Sequence, residues 1–217
     1  MSLPRIERPE LPEYMTWEEL ERLPEEIADQ IELWEGRVVW VRRGPGEHQV
    51  FMRRLTNELE RCARDDMAAD GERCWRVNLE TNIFLGRNGK SDFLTPDFLV
   101  HRCLGSAYQD VRASDTLLVG EVLSPSNKQT DIEAKKSRYA GAGIPWYWEV
   151  TLQPDVSAIA KIRAYGLETG VATLPEGVRP LHRADYRLVG EWDHGDEAGV
   201  SFRYPFPIEI PWVALAF

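Results

Sequence analysis

The chain has 217 residues, of which 43% are apolar and eight are tryptophan, enough for one sizeable hydrophobic core rather than two independent domains. Its formal net charge of −10 argues against a protein that coats nucleic acid through bulk electrostatics, because affinity for phosphate comes from Lys and Arg. A local basic patch remains compatible with this charge.

Cysteine usage and hydropathy indicate the compartment. Cys62, Cys74 and Cys103 are odd in number and form no CxxC pair, which fits a reducing compartment without a structural zinc site. No apolar run approaches the ~18 residues of a membrane span, and no charged start is followed by a short apolar stretch. We therefore expect a cytoplasmic protein with no membrane partner.

The N-terminal region predicts an arm, a short helix and a hairpin. Residues 1–13 are rich in Pro and charge, typical of an extended arm, and residues 14–217 are expected to form one domain. Residues 16–19 have the spacing of a capping box, which predicts a short helix. Residues 30–41 form two apolar runs around Glu35-Gly36 and predict a β-hairpin.

An amphipathic helix is predicted next, over residues 47–64, because its apolar side chains recur at helical spacing. Basic side chains lie on this helix and just before it: Arg42, Arg43, Arg53, Arg54, Arg61 and Arg64. Such a set is most often the solvated face of a helix. On an acidic protein it is also the best candidate for a phosphate-facing surface.

The middle of the chain predicts the strands of a sheet. Residues 74–85 alternate apolar and polar side chains, as in a half-buried strand. Residues 93–101 and 116–123 are continuous apolar runs, as in central strands covered on both faces.

Beyond these strands, residues 129–142 have a helical pattern, and residues 144–151 and 159–167 again resemble strands. From Gly170 the chain becomes turn-rich and acidic, ending in a β-rich tail. The element order predicts a mixed α/β (α+β) domain without strict βαβ alternation.

Two carboxylates stand out because each lies in an apolar run. Asp97 and Glu121 occupy the predicted central strands, where an unpaired charge is costly, so a cation or hydrogen-bonding partner is expected. Mg²⁺ needs only one or two carboxylates, since it keeps several waters. Lys135, on the following helix, can offset the charge of a phosphorane-like transition state.

These residues resemble a known signature. Pro96-Asp97 followed by Glu121-Val-Leu123 is similar to the PD-(D/E)XK nuclease superfamily, although the usual lysine is replaced by Leu123. The string from Val119 to Val150 resembles the Uma-type restriction endonuclease family, in which the lysine has moved to the next helix, here as Lys135. Asp131, Lys135 and Tyr139 recur every four residues and share one helical face. The resemblance extends over residues 16–167.

The resemblance implies a restriction-endonuclease-like core: a central mixed sheet flanked by helices, with an N-terminal hairpin. It implies metal-dependent hydrolysis of DNA phosphodiesters. Asp97, Glu121 and the Leu123 carbonyl would bind Mg²⁺ or Mn²⁺, and Lys135 would position or activate water. Glu32 and His48 would complete the catalytic set. A homodimer is expected, since such nucleases commonly pair to cut two strands. The residues expected to contact the DNA substrate are Arg42, Arg43 and Tyr139.

Simpler interpretations stay open for these residues. Asp97 could accept backbone N–H bonds in a turn, and Asp131 with Lys135 could be an exposed helix pair. Lys136 is expected to be solvated, and His48 could begin a helix without catalytic duty. A non-catalytic binding module with the same fold, or a metal-dependent hydrolase of another substrate, are the alternative functions. The other histidines, expected to be structural or exposed, are His101, His182 and His194.

Overall fold

The computed structural model describes residues 9–41, 44, 46–86, 89–124, 127–155, 157–168 and 184–216. Several predictions lie outside these residues and concern Arg42, Arg43, His182 and most of the N-terminal arm.

The N-terminal elements are α1 (Trp17–Leu20), α2 (Glu25–Ala28), β1 (Ile31–Trp34) and β2 (Arg37–Trp40). The predicted capping box is confirmed, since the Thr16 side chain accepts from the Glu19 backbone and the Glu19 carboxylate accepts from Thr16. The predicted hairpin is confirmed as well, with β1 and β2 antiparallel. Its turn needs positive φ at both Glu35 (54°) and Gly36 (84°), a requirement that glycine meets without strain.

The remaining strands are β3 (Trp75–Leu79), β4 (Ile83–Phe84), β5 (Phe93–Leu94), β6 (Phe98–Arg102), β7 (Val111–Arg112), β8 (Thr116–Leu123), β9 (Trp146–Leu152), β10 (Ile159–Glu168), β11 (Asp185–Asp193), β12 (Val200–Phe202) and β13 (Ile208–Ile210). The remaining helices are α3 (Gly46–Ala69), α4 (Gln129–Gly141) and α5 (Trp212–Leu215). Over the described ranges, the strands form a six-stranded sheet in the order β11-β10-β9-β8-β6-β3, a five-stranded sheet in the order β2-β1-β5-β4-β7, and the β12-β13 pair. Only β8-β9 in the larger sheet is parallel, so the sheet is mixed.

The six-stranded sheet is covered on both faces. Phe51 and Leu55 of α3 belong to the core cluster on one face, together with Leu118 of β8. Tyr139 of α4 belongs to the cluster on the other face, together with Val119 of β8. Burial on both faces explains why β8 is a continuous apolar run. None of the described helices is both long and apolar enough to cross a lipid bilayer.

Two predicted strands are each split between the two sheets. The predicted strand over residues 74–85 ends at Glu80, whose φ of 38° turns the chain from the six-stranded into the five-stranded sheet. The predicted strand over residues 93–101 is interrupted at residues 95–97, and this break brings Asp97 to the end of β6. The tail also differs from the prediction, because its acidic segment forms the long strand β11.

The prediction of reduced cysteines was wrong for two of the three. Cys74 and Cys103 form a disulfide, with their Cα atoms 5.3 Å apart. They directly flank the Trp75–Arg102 pair of the β3-β6 ladder, which brings residues 29 positions apart together. Cys62 is free and buried, and burial raises the pKa of its thiol.

Candidate active site

A cleft of about 990 Å³ lies between the N-terminal hairpin and the α4 face of the six-stranded sheet. This volume is within the range of ligand-binding sites in proteins. The lining includes the residues predicted to carry chemistry: Glu32, His48, Asp97, Glu121, Leu123 and Lys135.

Asp97 is fixed at the point where β6 begins beside β8. Because Phe98 pairs with Gly120, Asp97 lies next to Glu121 on the neighbouring strand. Its Oδ2 accepts a hydrogen bond from the Val122 N–H at 2.6 Å. The Nε2 of His48 lies 3.1 Å from the same Oδ2 and 2.9 Å from the Val122 carbonyl oxygen. His48 therefore links α3 to Asp97 and to the backbone of β8.

Glu121 is joined to α4 by two hydrogen bonds. Its Oε1 accepts from Lys135 Nζ at 2.9 Å and from the Tyr139 hydroxyl at 2.7 Å. The side chain of Glu121 is only 12% exposed, and that of Lys135 is 17% exposed. The structure thus brings the predicted glutamate and lysine together, although they are 14 residues apart.

Glu32 holds Lys135 from the hairpin side. Its carboxylate is completely buried, and Oε1 lies 3.0 Å from Lys135 Nζ. The same Oε1 accepts from the Thr95 N–H, and Oε2 accepts from Trp34 Nε1, each at 2.9 Å. The Thr95 carbonyl oxygen also accepts a hydrogen bond from Lys135 Nζ at 3.2 Å. With both oxygens occupied, Glu32 is suited to positioning Lys135 rather than to binding a ligand.

The charges of this cluster shift its pKa values. Burial raises the pKa of Glu121 to about 7, with Lys135 opposing the rise and Asp97 and Glu32 adding to it. Burial alone would lower the pKa of Lys135, but Glu121, Glu32 and Asp97 raise it above its ordinary value. Burial would also lower the pKa of His48, and the hydrogen bond and charge of Asp97 outweigh that effect and raise it. Lys135 is therefore an ammonium donor near neutral pH, not a free base.

The oxygen donors fit a hard divalent cation held by few protein ligands. Asp97 Oδ1 and Glu121 Oε2 have no hydrogen-bond partner among the described residues, whereas the other oxygen of each carboxylate is engaged. Within the same residues, no group of three or more His, Cys, Asp or Glu side chains could hold a metal ion. Mg²⁺ is commonly held by one or two carboxylates with water completing its shell. The pair therefore fits Mg²⁺ or Mn²⁺ better than a metal held by a three-residue cage.

Three further residues singled out in the sequence occupy different positions relative to the cleft. Tyr139 is completely buried and donates to Glu121, a position behind the carboxylate that differs from the predicted contact with substrate. Asp131 is exposed in the first turn of α4 and lines the cleft. Leu123 lines the cleft two residues after Glu121, on the same face of β8.

The prediction that Lys136 is solvated was wrong. Lys136 is 9% exposed, and its Nζ lies 3.1 Å from Glu149 Oε1. The ammonium also lies 3.4 Å from the centroid of the Tyr165 ring, whose hydroxyl donates to Glu149 Oε2 at 2.9 Å. A second lysine-glutamate pair therefore stands beside the predicted one, on the same helix and the next strand.

Two arginines of the predicted basic surface form ion pairs within the protein. Arg61 pairs with Glu58 and Asp65, and Arg64 pairs with Glu60, along the exposed face of α3. His101 is structural, as expected, with Nδ1 2.7 Å from the Arg102 carbonyl oxygen.

Sequence reasoning missed several groups in and beside the cleft: Trp34, Gly44, Thr95, Tyr147 and Glu149. Glu149 carried a readable signal, because it lies in an apolar run just as Asp97 and Glu121 do. Thr95 contacts Glu32 and Lys135 through its backbone, and Gly44 leaves room for the His48 ring because it has no side chain. Neither contribution can be recognised from the residue type.

The fold and the site define the class of protein. A mixed sheet with an aspartate and a glutamate on neighbouring strands, and a lysine beside them, is the arrangement of a restriction-endonuclease-like α/β protein. The chain shares its fold with a crystal structure described as "a putative nuclease belonging to DUF820 from Anabaena variabilis ATCC 29413", with a TM-score of 0.56 and 17% sequence identity. The match covers 93% of this chain and 97% of that chain.

The particular family follows from the sequence. Residues 17–170 match the Uma2 family, which is described as "Putative restriction endonuclease". The chain belongs to the Uma2 family, and the predicted resemblance is confirmed over nearly the range expected. No curated protein matches the chain.

Proposed function

We propose that the protein is a metal-dependent endonuclease that hydrolyses DNA phosphodiester bonds. One observation carries the proposal: Asp97 and Glu121 each have one carboxylate oxygen without a hydrogen bond from the described residues, in a cleft that also contains the charged Lys135. The description of the Uma2 family supports the same class of reaction.

Asp97 and Glu121 would hold Mg²⁺ or Mn²⁺, with the Leu123 backbone carbonyl as a further donor. Such an ion, when bound, supplies a Lewis acid for the phosphoryl oxygens and makes water more acidic. The protein holds its two carboxylates in place through His48 and Val122 on one side and Tyr139 on the other. Their geometry is therefore fixed before substrate arrives.

Lys135 would donate hydrogen bonds to a phosphate oxygen or to the attacking water. Its charge offsets negative charge that develops as the phosphodiester is attacked. Glu32 and the Thr95 carbonyl hold the ammonium group at the cleft wall, so little reorganisation is needed during the reaction. Proton removal from water falls to another group, because the neighbouring carboxylates keep Lys135 protonated.

Contacts to the DNA backbone would come from two basic residues. Arg42 and Arg43 directly precede Gly44, which lines the cleft, so we retain both as phosphate contacts. Replacing both with Ala should weaken DNA binding. The slope of log K against log salt concentration should become shallower by about 0.9 for each lost phosphate contact.

A homodimer and a cytoplasmic location complete the proposal. Cutting both strands of a duplex at one place calls for two such sites, and light scattering on the purified protein measures the subunit number. A cytoplasmic DNA substrate would make the Cys74–Cys103 bridge an exception among cytosolic proteins. Trapping of free thiols in fresh lysate would show whether the bridge is formed there.

The central experiment incubates the protein with plasmid DNA and Mg²⁺ or Mn²⁺. Asp97→Asn keeps the size of the side chain but removes its charge, and we expect cleavage to fall about a hundredfold or more. The control is Asp193→Asn, because Asp193 is exposed and pairs with Lys161 away from the cleft. Absence of cleavage by the parent on single- and double-stranded DNA would refute the proposal, and metal binding without cleavage would favour a non-catalytic binding module.

A further inference from the structure

Tyr147 has a buried hydroxyl without a hydrogen-bond partner in the part of the chain that the structure describes. The residue is completely buried, and its hydroxyl has no hydrogen-bond partner among the described residues. Three neighbouring tyrosines differ in this respect, since Tyr139 donates to Glu121, Tyr165 to Glu149, and Tyr186 to the Ile144 carbonyl. An unpaired buried hydroxyl is unfavourable, so its partner should come from outside this part of the protein.

The position of Tyr147 points to the cleft. Tyr147 pairs with Val119 across β8 and β9, one step along the same face from the pair formed by Glu121 and Glu149. It lines the same cleft as Glu121 and Lys135. Burial, and then the charges of Glu121 and Glu149, raise the pKa of Tyr147 well above its ordinary value. The hydroxyl therefore keeps its proton and can act as a donor.

We propose that the Tyr147 hydroxyl donates a hydrogen bond to an oxygen atom bound beside Glu121, either a water molecule or a phosphate oxygen of the DNA. This role in hydrolysis rests on the proposed nuclease function, whereas the bound oxygen does not depend on it. Tyr147 thereby adds a third kind of donor to the site, next to the Lys135 ammonium and distinct from the Tyr139 hydroxyl that Glu121 already uses.

The first test compares Tyr147→Phe with Tyr186→Phe, which loses a buried tyrosine hydroxyl from the same aromatic stack. We expect Tyr147→Phe to melt at the parent temperature or above, because no hydrogen bond to the described residues is lost, and Tyr186→Phe to melt lower. We expect kcat/KM on DNA to fall about tenfold in Tyr147→Phe, the scale of one hydrogen bond to a reacting group, and to stay unchanged in Tyr186→Phe.

Measuring kcat and KM of Tyr147→Phe separately distinguishes a water oxygen from a phosphate oxygen of the substrate. A lower kcat with unchanged KM identifies water, and a higher KM identifies a substrate phosphate oxygen. The proposal is overturned if kcat/KM of Tyr147→Phe stays within twofold of the parent, or if its melting temperature falls as far as that of Tyr186→Phe.

A second test does not need activity. In a crystal structure of the parent that shows ordered water, we expect an oxygen within hydrogen-bond distance of Tyr147 Oη, on the side of Glu121. A protein group bonded to Oη, or no oxygen there, would overturn the inference. If the parent cleaves no DNA, the nuclease proposal fails, and this observation still decides whether Tyr147 binds an oxygen ligand.

Discussion

Two lysine-glutamate pairs lie side by side in this fold and differ in their surroundings. Lys135 and Lys136 are consecutive on α4, and their partners Glu121 and Glu149 are paired in register on β8 and β9. The Nζ to Oε1 distances are 2.9 Å and 3.1 Å. Each glutamate also accepts a hydrogen bond from a tyrosine hydroxyl.

The surroundings of the two pairs separate them. Lys135 contacts a second carboxylate, Glu32, and lines a cleft that also contains Asp97. Lys136 is instead packed against aromatic rings, 3.4 Å from the centroid of Tyr165 and 5.6 Å from that of Tyr147.

The balance of acidic and basic groups, rather than the presence of an ion pair, distinguishes the candidate site from the structural pair. The Lys136 pair has one cation for one carboxylate and is covered by rings, as a structural ion pair should be. The Lys135 cluster has three carboxyl groups around one lysine and His48, so its acidic side chains are in excess, and a further cation would favour their ionised form.

The largest effect is expected from breaking the structural pair. Lys136→Met leaves Glu149 buried without its cation, and we expect the free energy of unfolding to fall by about 3–5 kcal/mol. Chemical denaturation measures the change. The matched control is Lys161→Met, whose more exposed pair with Glu191 should contribute much less, because water screens the two charges. Equal losses in both variants would contradict the structural role.

The next effect should come from breaking the pair in the cleft. Lys135→Met removes the ammonium that, in the proposed reaction, would face the phosphate, and we expect kcat to fall about 10²–10³-fold. Measured per folded molecule, Lys136→Met should stay within a few fold of the parent. If both variants lose activity alike, the comparison between the pairs breaks down.

A smaller difference is expected between the two tyrosines that donate to Glu121 and to Glu149. Tyr139→Phe removes a hydrogen bond to Glu121, and we expect about a tenfold loss of activity, since a bond to a charged group contributes about 1.5–3 kcal/mol. Tyr165→Phe removes the corresponding bond to Glu149 and should lower the melting temperature without lowering kcat. Single-turnover cleavage and thermal unfolding together distinguish the two results.

The smallest effect is expected from displacing the His48 ring, which packs against Gly44. A Cβ added at Gly44 would lie 2.3 Å from His48 Cγ, so Gly44→Ala must displace the imidazole that contacts Asp97. We expect a severalfold loss of kcat with little change in stability. Gly46→Ala is the control, because none of the described residues has an atom within 4 Å of the position its Cβ would take. Unchanged activity in Gly44→Ala would argue that His48 is dispensable.

Local pattern predicted the elements whose burial is uniform along their length. β8 was predicted at its observed bounds because both of its faces are apolar, and α4 was predicted to within a residue of its observed end. The break at residues 95–97 and the turn at Glu80 were missed, because apolar residues stand on both sides of each interruption. β11 was missed since its nine residues are mostly polar and depend on long-range pairing with β10.

The part of the site that depends on residue type alone was predicted from the sequence. Asp97, Glu121 and Lys135 were found from charges in apolar runs and from the family resemblance, and the structure brings them into one cleft. Lys136 was misjudged, because the helix periodicity that directs Lys135 to Glu121 says nothing about the strand on its other side. Tyr147 was invisible because its unpaired hydroxyl is a property of the packed fold.

The most direct test of the account is calorimetric titration of the protein with Mg²⁺ and Mn²⁺, comparing Glu121→Gln with Glu149→Gln. We expect the parent and Glu149→Gln to bind the ion and Glu121→Gln to lose binding, since only Glu121 belongs to the cluster in which acidic side chains are in excess. Thermal unfolding should agree, with a stabilisation of about 2.7 kcal/mol at an ion concentration one hundred times Kd. Binding that survives Glu121→Gln unchanged, or no binding by the parent, would contradict the account.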